Sequence, residues 1–284
     1  ETFNYLETNY PHYLFHSPVD NITITAVPHR NIKDHFKPEE KLAQLRQAQQ
    51  LDPLQQKLVR FVRFLEETSG VPAEFFGVTG SLLLDIHQPK FSDLDVTVCG
   101  IENSWLLHKA LSENRDSEMP MKRLEDKALK EWGIRKAAQY PLSPADALKI
   151  YERKWNLGVF EDTWVSIHPV KLQSDVTVEY GEVTYHPCGQ VTIRAVVRDN
   201  TDCLFLPSVY KLEDVEVLEG PQLGKVTELV AYESLYDSLA ENGETIQAKG
   251  KLERVTEEGS NREHYRVLVG SAEGGGKEYI KLVD

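Results

Sequence analysis

The chain has 284 residues, 40% of them hydrophobic and 27% charged, the profile of a folded protein long enough for two modest domains. Mean hydropathy is −0.42 and no apolar run approaches the roughly 20 residues of a spanning helix, which excludes a helical membrane protein. A formal net charge of −13 excludes a protein that coats nucleic acid through an overall basic surface.

Residues 1–40 read as an irregular segment, rich in Tyr, His and Pro, that packs on the core and carries one strand at 22–27. His12 and His16 have the spacing of a helical metal pair, but Pro11 and Pro18 bracket them and make surface histidines the better reading. Pro38-Glu39-Glu40 opens a helix with acidic residues in its first turn, running to Leu51. After Asp52-Pro53, Leu54, Leu58, Phe61, Val62 and Leu65 recur at helical steps and define a buried stripe, which Gly70 ends.

Residues 75–79 read as a short buried strand, Gly80 as a turn, 81–87 as a helix and 88–92 as a loop. Residues 93–98 alternate strictly, the pattern of a strand, and Gly100 closes them. Residues 102–155 are mostly helical, with breaks expected near Pro120, Gly133 and 141–144; 164–170 and 176–180 return to strand. Beyond Gly181 short alternating runs at 191–198, 214–218, 245–255 and 265–269 predict a small barrel or sandwich, interrupted by a helical turn at 233–239. Residues 271–276 should form a mobile loop. The expected organisation is therefore α+β: an N-terminal segment over 1–40, a central domain over 41–180 and an acidic β-rich domain over 181–284.

Charge is uneven. Residues 105–155 carry eleven Lys/Arg against eight Asp/Glu, whereas 181–284 carry eleven against nineteen. Phosphate-rich partners should meet the middle of the chain, and the terminal domain is better suited to a protein partner. Three widely spaced cysteines, Cys99, Cys188 and Cys203, build neither a disulfide framework nor a CxxC zinc site and fit a reducing, cytoplasmic setting. Asn21-Ile22-Thr23 is a chance glycosylation match, and the chain opens at Glu1 without a signal-peptide pattern, as a trimmed chain would.

The chemistry concentrates in Gly77-Val-Thr79-Gly80-Ser81 and the Asp93-Leu-Asp95 that follows. On a strand, residues two apart share a face, so the two carboxylates project together and repel unless a cation lies between them. Such oxygen ligands suit Mg²⁺, which completes its shell with water and substrate phosphates. Gly80 permits close backbone approach, and Ser81 offers a hydroxyl and backbone N–H groups to a phosphate. Alone, the Gly-Ser turn or the Asp-x-Asp would be an ordinary turn or strand end. Together they supply the parts phosphoryl or nucleotidyl transfer requires.

Gly80-Ser81 followed by Asp93-Leu-Asp95 resembles the signature of the DNA polymerase β-like nucleotidyltransferase superfamily. Several further stretches resemble an archaeal family of predicted nucleotidyltransferases of undefined function, among them 24–28, 35–39, 92–100, Lys154-Trp155-Asn156 and 166–170. The resemblance implies a mixed β-sheet with helices packed on it, with Mg²⁺, or Mn²⁺ in its place, held by Asp93 and Asp95. It implies an NTP whose phosphates meet Gly80 and Ser81, with Thr79 and Ser92 beside them. The implied reaction is attack of a hydroxyl on the α-phosphate, the hydroxyl belonging to an RNA end, a protein or a small molecule.

One departure matters. Active members carry a third carboxylate on a later strand, and here Ser166 stands at that place, able to hold a metal-bound water but not to act as a base. His168, on the same face, is a substitute base or ligand, or else a structural histidine, and Asp175 is another candidate acid. The departure leaves a second reading, a non-catalytic nucleotide-binding or protein-interaction module. Arg153 or Lys154 is a candidate phosphate contact and Trp155 a candidate base-stacking ring; the plainer reading is a solvated helix face with a buried Trp. His87 carries the same two readings. The run 220–227 falls short of a P-loop, because its loop lacks one residue and no Ser or Thr follows Lys225.

Overall fold

Helices and a mixed sheet occupy the first part of the chain and strands the second, in a computed structural model that describes residues 2–114, 119–259 and 263–283. The part of the helical expectation that falls on 115–118 lies outside the described residues. Thr2–Asn9 is a helix (α1), not the irregular segment expected, although none of its side chains is buried. Strand β1 (Leu14–Ser17) then pairs antiparallel with β2 (Ile22–Thr25), whose alternating Ile and Thr side chains suit a pleated strand. In the turn between them, the carbonyl of Val19 accepts the Tyr185 N–H at 2.9 Å and ties the hairpin to the second part of the chain.

Helix α2 (Pro38–Gln47) is followed by α3 (Pro53–Ser69). The start of α3 is fixed by a capping box, in which Asp52 accepts the N–H groups of Leu54 and Gln55 and the Gln55 side chain accepts the Asp52 N–H. Gly70, at φ +72, ends it. The expected stripe of Leu54, Leu58, Phe61, Val62 and Leu65 is buried throughout, each side chain contributing about 1.5–3 kcal/mol of apolar burial.

The first sheet has the order β3-β4-β7-β6-β5, from β3 (Phe76–Val78), β4 (Leu94–Cys99), β5 (Met121–Lys122), β6 (Leu157–Phe160) and β7 (Thr163–Val170). Only the β4–β7 pair is parallel. Leu94, Val96, Val98, Val165 and Ile167 make its apolar face, buried with α3 and with α5 (Ile101–Glu113). The period of two then places Asp95, Thr97, Ser166 and His168 together on the other face. That division presents the candidate site.

Three local expectations are corrected. The helix after Gly80 is a single turn, α4 (Gly80–Leu83), because Asp85 adopts φ +55 and its carboxylate turns out to Lys41 at 2.5 Å. No break occurs at Gly133, which lies inside α6 (Asp126–Gln139). There its missing Cβ lets α7 (Pro144–Arg153) approach, for an added Cβ would meet Leu148 at 3.0 Å. Residues 176–180 form no strand; both edges of β7 are already paired, with β4 and β6, and Val176, Val178 and Tyr180 are exposed.

The second part forms a ring. Strands β8 (Val183–Asp199), β9 (Ser208–Glu219), β10 (Val226–Ala231), β11 (Thr245–Glu257) and β12 (Glu263–Val269) pair in the order β12-β10-β9-β8-β11, and β11 also pairs with β12. All pairs are antiparallel except β10–β12, and β13 (Tyr279–Leu282) adds to β11. The five strands thus close into a small, nearly complete β-barrel. Residues 271–276 are a run of turns organised on the buried Glu278, whose carboxylate accepts the N–H groups of Gly270 and Ser271 and the Ser271 hydroxyl. Buried apolar side chains of the sheet and the barrel form one continuous cluster.

Candidate nucleotide site

Asp95 is the centre of the site. Its carbonyl accepts the Thr79 N–H at 2.9 Å, continuing the β3–β4 pairing by one residue and delivering the Gly80-Ser81 turn beside it. Gly80 has φ +64 and is exposed, and a Cβ built on it would lie 2.3 Å from Asp95 Oδ2. Only glycine satisfies both the left-handed backbone and this approach. Ser81 is half-buried and its hydroxyl has no partner among the described residues. Asp93 immediately precedes β4 rather than lying in it, is exposed, and makes no hydrogen bond or ion pair among the described residues.

The parallel register sets Asp95 directly against Ser166. The Ser166 hydroxyl donates to Asp95 Oδ1 at 2.5 Å, and His168 Nε2 lies 2.8 Å from Ser166 Oγ and 3.7 Å from Asp95 Oδ1. Because a hydroxyl has one proton and it points to Asp95, the His168 Nε2–H is the donor to Ser166, leaving Nδ1 as the basic nitrogen. The His168 imidazole, opposed by burial and assisted by the Ser166 hydroxyl, holds the Asp95 carboxyl below its ordinary range. Thr97, next along this face, has a buried hydroxyl without a hydrogen-bond partner among the described residues.

Among the described residues no group of three or more His, Cys, Asp or Glu side chains could hold a metal. The oxygen donors of Asp93 and Asp95 nevertheless fit Mg²⁺, which binds through one or two carboxylates and takes its remaining ligands from water and substrate phosphates. They do not form an all-protein cage.

Other expected residues lie elsewhere in function. Lys154 is not available to a phosphate: it is buried, and its ammonium donates to the carbonyls of Ser234 and Asp237 and to Asp237 Oδ1. Burial lowers its pKa, against the attraction of Asp237. Trp155 is buried, edge-on to His108, and Arg153 pairs with Glu241 and Glu244, so the buried Trp of the plainer reading holds, whereas its solvated helix face does not, Lys154 being enclosed. Ser92 Oγ accepts the Gln88 N–H and closes its own loop. His87 Nε2 meets Asp52 Oδ2 at 2.7 Å, joining the turn after α4 to the cap of α3. Asp175 accepts the N–H groups of Ile101 and Leu172, at the end of the β4–β7 pair away from Asp95. Asn156 lay in the Lys154-Trp155-Asn156 stretch of the resemblance but had no role assigned from the sequence, and Asp237, after the turn Ser234–Tyr236, carried no signal there; both brace the site strand.

The chain is 27% identical over 280 residues to the uncharacterised protein MJ1086 of Methanocaldococcus jannaschii, in an alignment spanning 99% of this chain and 80% of that protein. It is thus similar, distantly and along its whole length, to an uncharacterised archaeal protein. No family profile matches the chain. No solved structure matches it either. No helix among the described residues is long and apolar enough to cross a membrane.

Proposed function

We propose that the chain is a metal-dependent nucleotidyltransferase of the DNA polymerase β-like type, moving an NMP from an NTP to a hydroxyl acceptor and releasing pyrophosphate. The observation that carries this reading is the seat of the Asp95 carboxylate against the exposed Gly80, with the half-buried Ser81 beside it. It joins an acid for a divalent cation to a turn whose glycine backbone is exposed and whose serine hydroxyl has no partner among the described residues.

Gly80 and Ser81 receive phosphate oxygens, and Asp93 and Asp95 hold Mg²⁺ or Mn²⁺. Bound there, the cation neutralises charge on the triphosphate and its leaving group. His168 and Ser166 keep Asp95 ionised, the state a metal ligand needs. His168 is half exposed, and its Nδ1 takes the acceptor's proton in place of the third carboxylate. The acceptor is an RNA end, a protein side chain or a small molecule. The barrel's first loop is packed on the central part, with the Trp105 indole N–H donating to the Thr201 carbonyl and Lys171 paired with Asp202. With that loop engaged and residues 181–284 carrying eight more acids than bases, a protein partner suits the barrel better than nucleic acid.

The test is incubation with each α-³²P-labelled NTP, Mg²⁺, and total RNA or protein as acceptor. Transfer of label that disappears in Asp95→Asn supports the reading; absence of both transfer and Mg²⁺-dependent nucleotide binding overturns it. Ser166 at the place of the third acid favours a second reading, a nucleotide-binding module without turnover. That reading predicts binding sensitive to Asp95→Asn and no transferred label.

A further inference from the structure

Lys154, Asp237 and Asn156 form a buried polar cluster that links the barrel to the strand carrying Ser166 and His168. Asp237 follows the short helical turn Ser234–Tyr236 of the barrel. Its Oδ1 accepts from Lys154 at 2.7 Å and its Oδ2 accepts from Asn156 Nδ2 at 3.3 Å. Asn156 holds both backbone groups of Ile167: its carbonyl accepts the Ile167 N–H at 2.9 Å, and its Nδ2 donates to the Ile167 carbonyl at 3.2 Å. Ile167 lies between Ser166 and His168, and its own side chain is fully buried on the opposite face. The backbone that aims the Ser166 and His168 side chains at Asp95 is therefore fixed on one side by the pairing with β4 and on the other by β6, whose pairing Asn156 extends past Ser166 to Ile167.

We infer that Asp237 is a positioning residue for the candidate site, setting through Asn156 the placement of Ser166 and His168 against Asp95. The barrel is in this respect part of the site's support, although none of its side chains is among those that would meet nucleotide. The requirement is physical. A buried lysine is costly unless its partner is held in good geometry, and replacing such a pair by apolar residues is often neutral for stability. A pair kept in spite of that is well suited to fixing one arrangement. Hydrogen-bonded residues behind a first ligand shell have a known weight, since losing one commonly weakens metal affinity or activity about 10–100-fold.

The inference rests on the proposed nucleotide site for its consequence, but its geometry is tested without nucleotide. Two variants are compared with wild type: Lys154→Met/Asp237→Leu, which removes the buried charges together, and Asn156→Ala, which leaves the ion pair intact. In ¹³C-histidine-labelled, metal-free protein, the His168 ring resonance should move in the folded variants, while that of His87, on a separate cap, stays in place. Affinity for Mg²⁺ with a non-hydrolysable NTP should fall about tenfold or more, with helix and strand content retained. Should the double variant fail to fold, Asn156→Ala carries the test. An unmoved His168 resonance in either folded variant overturns the inference. If the resonance moves but wild type binds no nucleotide, the positioning role stands and the nucleotide reading fails.

Discussion

Asp95 and Ser166 are register partners across the parallel β4–β7 pair, and the Ser166 hydroxyl donates to the Asp95 carboxylate at 2.5 Å. A second carboxylate at that place would repel the first and demand a cation; the hydroxyl instead stabilises the charge already there. His168 reinforces it. The candidate site therefore combines one partly buried acid, Asp95, with one exposed acid, Asp93.

His168→Ala should narrow the acid range over which the protein stays folded. The imidazole is the largest influence holding Asp95 below its ordinary value, so the folded-state pKa lies below that of the unfolded chain. Such a group contributes stability above the unfolded value, about 3.9, and loses it as pH falls through the folded value. Without His168 the folded value rises toward the unfolded one and that contribution shrinks. Acid unfolding followed by circular dichroism should shift its midpoint to higher pH. An unchanged midpoint would mean that His168 does not act on Asp95.

Gly80→Ala should damage both the fold of the turn and its chemistry. An alanine at φ +64 costs about 1–2 kcal/mol, and its Cβ would press on Asp95 Oδ2 from 2.3 Å. The carboxylate must move or the turn must open. Urea denaturation should show the loss of stability, and titration with Mg²⁺ and an NTP should show the loss of affinity. Full retention of affinity would remove Gly80 from the site.

Much of this arrangement is legible in the sequence because it follows local rules. The α3 stripe, Gly70 and the alternation into β4 are periodicities and caps, and the distance from Gly80 to Asp95 allows one turn and a return strand. What escapes is set by long-range contact. Lys154 looks like a surface cation at a helix end, and only the barrel, bringing Asp237 from far along the chain, makes it a buried one. Gly133 looks like a helix breaker until α7 is seen to need the room. Residues 176–180 have the alternation of a strand but no free sheet edge to join. The turns of the second part left a barrel and a sandwich open, and only the long-range parallel β10–β12 pair, with β11 against β12, decides for the barrel.

Asp52→Ala should weaken the protein by about 0.5–2 kcal/mol, the usual cost of an N-cap. Asp52 caps α3 through two backbone N–H groups and also meets His87, whose side chain is almost wholly enclosed. Loss of the carboxylate leaves that imidazole without its partner and places the effect toward the upper end. Asp52→Asn, which keeps an accepting oxygen, should recover part of the loss. Equal stability of Asp52→Ala and wild type in urea would show that the cap is not used.

The three thiols should separate by reactivity. All are free; Cys203 is buried, whereas Cys99 and Cys188 are partly exposed. Burial, with the nearby Asp237 charge, pushes the Cys203 thiol up to about 12, so little thiolate exists near neutral pH. Cys99 is also raised, by burial first and then by Glu39, and should react slowly. A disulfide reagent at mildly alkaline pH should therefore modify Cys188 first and leave Cys203 until denaturant is added. Because Cys203 packs beside the Lys154–Asp237 pair, its protection reports on the junction between barrel and sheet. Early labelling of Cys203 in the folded protein would show that this junction opens.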